Sequence, residues 1–305
     1  MPGTVESARE RTLGIILVSA SAAVFGLTGV LTKSIHADPL TITCWRGFVG
    51  SILISLYVLW RRQRSGGRGS LRLGWRGWLL AIEGALASIA FISAFKFTFV
   101  ANVAIIYATA PFVTALLALL LIREPFRLQT LAAAAVSLCG VAIMVWSGFG
   151  TGHLFGDGLA LLIAVMFSIA TVITRRFAHV RMTPATCLGT MLAAAFAASQ
   201  ASALGVSSHD MGFLFAFGVI NLGLGLAFFA TGARLVPAAV AALLGTFEPI
   251  LGPIWVWLIH SEVPSARTIV GGAVVVTALL VHIGLEFKRQ TRPARAGVTG
   301  VPSPN

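Results

Sequence analysis

At 305 residues, 57% hydrophobic and 10% charged, with a mean hydropathy of +0.91, the chain carries more apolar surface than a soluble fold of its size can bury. That excludes an ordinary globular domain and calls for one that faces lipid. The net charge of +12 invites a nucleic-acid reading, but the basic residues sit in alternate connections rather than on one soluble face, so no nucleic-acid partner is expected.

A hydrocarbon core of about 30 Å takes about 20 apolar residues per helix. Ten runs qualify in chain order: Leu13 to Leu31, Ile42 to Trp60, Trp78 to Phe97, Asn102 to Ile122, Leu128 to Trp146, Gly158 to Thr174, Ala185 to Leu204, Met211 to Thr231, Ala238 to His260 and Thr268 to Phe287. Their length and continuity predict helices, since barrel strands would be short and alternating. The expected class is an all-α polytopic membrane protein. Cys44, Cys139 and Cys187 fall inside spans without ligand-like spacing and read as small core residues. The first run contains Ala20-Ser21-Ala22, which resembles a small-residue cleavage site of a signal peptide, but its pairing with the sixth run predicts that it stays in the fold.

The spans repeat. Shifting the chain by 138 positions lays Lys96 on Arg234, Ala110-Pro111 on Glu248-Pro249, Glu124 on Glu262 and Thr130 on Thr268. Upstream, Phe25 to Lys33 matches Phe167 to Arg175 at an offset of 142. The predicted organisation is a cytoplasmic N-terminus over 1–12, a first five-helix repeat over 13–147, a second over 157–287, and a disordered basic tail over 288–305. Five spans per half force the second copy through the bilayer upside down. Inverted repeats around a central site are an architecture of secondary transporters, because two exchangeable halves give one site two openings.

Basic residues fill the even-numbered connections, including six arginines from Arg61 to Arg76, whereas the odd-numbered ones hold only Lys33, Lys96 and Arg267. The positive-inside rule therefore places both termini in the cytoplasm. The Gly, Ser and Arg content of the second connection predicts a flexible segment attracted to anionic lipid.

Trp45-Arg46-Gly47-Phe48, Ala110-Pro111 with Arg123-Glu124, and Glu248-Pro249 with Glu262 occur in this order and duplication. On these residues the chain resembles the drug/metabolite transporter superfamily, specifically its ten-helix EamA-type members, over about residues 12 to 288. Among them it looks somewhat like the amino-acid exporters of the YddG type. The resemblance implies a basket of helices around a central cavity and export of small metabolites across the bacterial inner membrane.

Ionisable groups at membrane depth need a partner or a watery cavity. Glu248, beside Pro249 in mid-span, is either a cavity carboxylate that binds an amine or a proton, or a helix-kink residue bonded to backbone. Arg46 either holds a substrate carboxylate or snorkels to tether a helix end. Glu83 has no evident counterpart in the repeat, and either serves this protein in particular or pairs at headgroup level with Arg76. Asn102, Tyr107 and Asn221 can touch a solute or join helices. Tyr107 lies four residues before Pro111, on the face toward whatever cavity that proline opens. Pro111 and Pro249 are expected helix kinks. Phe25 and Phe167 are candidates to flank the cavity symmetrically, with lipid contact the commoner role for phenylalanine here. The tryptophans, Trp255 and Trp257 included, read as interface anchors. Glu124 and Glu262 read as surface ion pairs with Arg123 and Arg267.

No catalytic residue, metal-ligand spacing or cofactor motif is found: there is no phosphate-binding glycine loop, nucleophile elbow or zinc-protease helix. The expected partners are a small-molecule substrate and the lipid bilayer. Amino acids are the preferred cargo, with Arg46 set against the carboxylate and Glu83 or Glu248 against the amine. Efflux of lipophilic cationic drugs is the alternative. Ten spans can close a cavity within one chain, so a monomer is expected, with a dimer left open.

Overall fold

A computed structural model describes residues 3–64, 73–122, 128–146, 152–176, 182–236 and 238–290. The described residues are helical with short connections and contain no strand. The tail beyond 290, Glu124, Arg123 and most of the Arg-rich second connection lie outside them.

The helices follow the ten expected spans. The first span is α1 (Gly3–Gly26) followed by α2 (Thr28–Ser34); the second is α3 (Pro39–Arg64) and the third α4 (Trp75–Phe97). The fourth divides into α5 (Val100–Tyr107) and α6 (Ala110–Ile122), and the fifth is α7 (Leu128–Trp146). In the second half the sixth span is α8 (Leu154–Arg176) and the seventh α9 (Met182–Gln200). The eighth runs α10 (Ser208–Phe217), a π-helical segment (Gly218–Gly225) and α11 (Leu226–Gly232). The ninth divides into α12 (Ala238–Gly245) and α13 (Phe247–His260), and the tenth is α14 (Ala266–Gln290). Eight of the spans are continuous enough, among the described residues, to cross a bilayer by length and hydropathy; α9 and the divided α12–α13 complete the ten.

The kinks expected at Pro111 and Pro249 are full breaks. Ala108 (φ −61°, ψ −14°) ends α5 and Thr246 (φ −69°, ψ −10°) precedes α13, and these two residues are 138 positions apart. Each proline then sits in the first turn of the following helix, where its missing N–H leaves no bond unmade. The backbone thus restarts at equivalent depths in the two halves.

Packing is centred on α5, whose Val100, Val103 and Ile106 are buried with Val30, Ala94, Phe95, Ile163 and Val256 from spans one, three, six and nine. A second cluster joins Leu31, Ile35 and Ile42 to Ile92, Leu214 and Phe217. Spans five and ten pair at the periphery, where a Cβ on Gly140 would lie 2.7 Å from the carbonyl oxygen of Gly271; the two backbones touch, as small residues permit in lipid. Leu128, Leu131, Leu138, Trp146, Ile269 and Val281 on the outer faces of α7 and α14 are exposed to where lipid would lie.

The odd-numbered connections form one end of the bundle and are laced across the halves. Lys33 pairs with Glu262 at 3.2 Å and donates to the Thr98 carbonyl at 3.3 Å. Glu262 also accepts the Val100 N–H at 2.7 Å, so its partner is Lys33 and not Arg267 as the sequence suggests. Lys96 donates to the Ile35 carbonyl, Thr41 to that of Ala203 and Trp45 to that of Leu204. Asp38 caps α3, accepting N–H bonds from Leu40 and Thr41. Burial raises its pKa, but these bonds and those from the Thr41 and Ser202 hydroxyls prevail and hold it below the ordinary aspartate value of 3.8.

Candidate functional site

Span one bends where the chain reads Phe25-Gly26-Leu27-Thr28-Gly29. Two glycines within one turn weaken the helix by roughly 1 kcal/mol each relative to alanine, and α1 ends before Leu27, whose ψ is −8°. The same glycines allow close approach: a Cβ on Gly26 would meet Leu251, and one on Gly29 would collide with Val100. The bend of span one therefore packs against α5 and α13, the helices that adjoin the breaks of spans four and nine.

Where the three meet is a small, part-enclosed cavity of about 20 Å³, room for little more than one water. Span one contributes Phe25, Gly26, Thr28 and Gly29, α4 contributes Phe91 and Phe95, and α5 contributes Val103 and Tyr107. Glu248, Pro249 and Gly252 of α13 close it. In this conformation the space is narrow, suited to water-sized guests rather than to a whole amino acid.

Glu248 and Tyr107 are the polar groups of this wall that matter most. Neither makes a hydrogen bond within the described residues, and both stay partly accessible from the cavity. A carboxylate and a phenol without a hydrogen-bond partner among the described residues, in an apolar enclosure, are available to a guest. Tyr107 is held by ring contacts, edge-on to Phe91 at 6.2 Å and to Phe167 at 5.4 Å. Phe25 reaches the cavity but Phe167 does not line it; it backs Tyr107 and is half exposed.

The other expected site residues go elsewhere. Asn221, in the π-helical segment, donates to Thr28 Oγ1 at 2.7 Å, and Thr28 donates in turn to the Phe25 carbonyl at 2.6 Å. It fixes the cavity's edge from behind. Asn102 is 1% exposed and belongs to a buried clasp, donating to Asp157 at 3.0 Å and accepting from Thr268 at 2.9 Å. Thr98 completes that clasp with a 2.7 Å bond to Asp157. Asn102 thus joins α5 to α8 and α14 rather than facing the cavity.

Arg46 does not snorkel. It is 4% exposed, its guanidinium donates to Ser88 at 2.8 Å and lies 5.0 Å from the centre of the Phe217 ring, and its Nε has no partner. It is absent from the cavity wall, so the fold does not bring Arg46 and Glu248 together around one solute. Glu83 is half buried on α4, makes no hydrogen bond or ion pair to a described residue, and does not line the cavity either. Its repeat position is not empty: the 138-residue offset carries it onto Asn221. Trp255 is not a belt residue, since it packs against the central cluster with a buried Nε1, whereas Trp257 is 54% exposed.

The sequence singled out Glu248 and Tyr107 but missed Thr28, Phe91 and Phe95. The glycine pair Gly26 and Gly29, set against Ser168 and Thr171 in the other repeat, is the signal that marks span one as the wall.

The comparisons with known proteins agree with this architecture. The EamA-like transporter family matches twice, over residues 12–146 and 154–284, once per half. An uncharacterized transporter of Archaeoglobus fulgidus is 24% identical over 277 residues, covering 88% of this chain and 95% of that protein. A chain described only as "Crystal structure of protein" shares the fold with a TM-score of 0.65 at 22% identity, over 90% of this chain and 98% of its own. The chain belongs to the EamA-like transporter family of the drug/metabolite transporter superfamily, and is a membrane transporter of small molecules rather than an enzyme.

Proposed function

We propose that the chain is a secondary transporter that exports small amine-bearing metabolites, amino acids first among them, from the bacterial cytoplasm across the inner membrane. The observation that carries this reading is the Glu248 carboxylate, without a hydrogen-bond or ion-pair partner among the described residues, beside Tyr107 in an aromatic cavity where three broken spans meet. An ammonium group is the complement of that carboxylate, and its worth rises where water is scarce. Both termini are assigned to the cytoplasm, because the basic residues fill the even-numbered connections. The laced odd-numbered connections then face outward and are shut, and alternating access consists of rocking the halves so that these links open. The cavity is bounded within one chain, which favours a monomer.

Phe25, Phe91 and Phe95 around a single carboxylate favour a second reading, efflux of lipophilic cations. Proteoliposomes loaded in turn with labelled amino acids and with a lipophilic phosphonium cation, with and without a pH gradient, separate the two. Efflux of amino acids that falls in Glu248→Gln supports the first reading. Efflux of the phosphonium cation alone, with the same dependence on Glu248, replaces it with the second. Transport of either that is indifferent to Glu248→Gln removes the cavity carboxylate from both.

A further inference from the structure

On the odd-numbered end, the connection between α2 and α3 belongs to the first half and the start of α10 to the second. The fold brings His36 of the one against His209 and Asp210 of the other. One ring or carboxylate ligand atom from each of the three lies within 4.8 Å of the other two. His36 Nδ1 is 3.5 Å and His209 Nδ1 3.7 Å from the same Asp210 oxygen. Tetrahedral ligation by nitrogen and oxygen at about 2.0–2.1 Å sets ligand atoms roughly 3.3 Å apart, so these spacings need only a small closure.

The parts that must stay still are held, and the parts that must turn are free. Asp210 is anchored in the first turn of α10 by the Ser207 cap at 3.0 Å, and its carboxylate is 10% exposed. The His36 backbone N–H donates to that carboxylate at 3.2 Å. The connection is pinned on both sides of His36, by Lys96 on the Ile35 carbonyl and by Asp38 at the α3 cap. The imidazoles of His36 and His209 are 81% and 65% exposed, and the His209 ring rests 4.9 Å from that of Phe213 one turn along. Asp38 is spent on its helix cap and on Ser202, which leaves a site of two imidazoles and one carboxylate with open positions for water.

We propose that His36, His209 and Asp210 form a binding site for a divalent transition-metal ion of the zinc class, which ties the two halves together at the odd-numbered end. Imidazole with carboxylate suits zinc and its neighbours and does not suit magnesium or calcium, which prefer all-oxygen shells. The site needs no assumption about cargo. Only its consequence for transport, holding that end shut, rests on the proposed function.

The test is titration of the purified, chelator-treated full-length protein with zinc, read by competition with a chromophoric chelator. One saturable zinc ion per chain is expected, undisturbed by excess magnesium. His36→Ala and His209→Ala should each weaken it roughly tenfold or more, the least that loss of a ligand costs when outer-shell losses alone reach that size. His153→Ala, at a half-buried histidine outside the cluster, should not. Both cluster rings are exposed, so the variants are expected to elute as the wild type does. No saturable binding, or binding that survives both substitutions, overturns the site. If zinc binds but does not slow efflux in proteoliposomes while Glu248→Gln does, the site and the transport reading stand and the claim that the ion holds that end shut is overturned.

Discussion

The two halves share one sequence pattern yet part company at two places, one lining the cavity and the other backing it. Spans four and nine break at equivalent residues, Ala108 and Thr246, whereas span one breaks at Leu27 and its partner α8 runs unbroken for 23 residues. Likewise span eight carries a π-helical segment over Gly218–Gly225 where α4 is plain α-helix. The two irregular features touch each other, through the bond from Asn221 to Thr28. Their repeat mates, Glu83 and Ala170, make no hydrogen bond of that kind. The frame is thus symmetric and the chemistry is not. Glu248 answers to Ala110 and Tyr107 to Gly245, so the cavity has one acidic wall rather than two.

If that asymmetry sets function, substitutions at matched positions should have unmatched effects. The largest is expected at Glu248: Glu248→Gln should weaken binding of an amine cargo about 10- to 100-fold, the worth of a charged hydrogen bond of roughly 1.5–3 kcal/mol. Equilibrium binding to detergent-solubilised protein checks this, and an unchanged affinity would break the comparison at its centre. Next comes Glu262, which holds both Lys33 and the Val100 N–H. Glu262→Gln should lower unfolding stability by about 1–2 kcal/mol, since a half-buried, doubly bonded carboxylate exceeds an exposed pair. Thermal unfolding in detergent, beside Glu124→Gln in the other half, would show whether the end that is laced here outweighs its counterpart.

A smaller contrast lies in the irregular pair itself. Asn221→Ala removes the bond to Thr28 and should cost about 1 kcal/mol, whereas Glu83→Gln at the matched position, where no bond is lost, should be near neutral. Equal losses in unfolding assays would count against a special role for the π-helical segment. The smallest effect is expected at the α3 cap, where Asp38→Ala should cost about 1 kcal/mol or less. Because the folded carboxylate titrates below its ordinary value, this contribution is present at neutral pH and is shed as the pH falls through the folded value. Acid unfolding curves of wild type and Asp38→Ala should therefore converge toward low pH, and a gap that widens there would reverse the sign.

Much of this was legible in the residues. Ten apolar runs, their duplication at a fixed offset and the odd number per half follow from local composition and spacing, because in a bilayer each span must satisfy its own backbone bonds and so announces itself in sequence. The prolines at 111 and 249 marked where spans four and nine restart, since a residue without an N–H fits best in the first turn of a new helix. Glu248 and Tyr107 were legible for the same reason: they lie beside those restarts.

What the tertiary structure decided was the company each polar group keeps. Arg46 and Asn102 look alike in sequence to Glu248, as polar residues at membrane depth, yet one is buried against Ser88 and Phe217 and the other is spent on Asp157 and Thr268. Lys33 with Glu262, and His36 with His209 and Asp210, join residues more than 170 positions apart, and no local rule couples such positions. Spacing along the chain determines which helices form and where they break. Which side chains are left without a partner, and so free for a guest, depends on how ten helices pack at once.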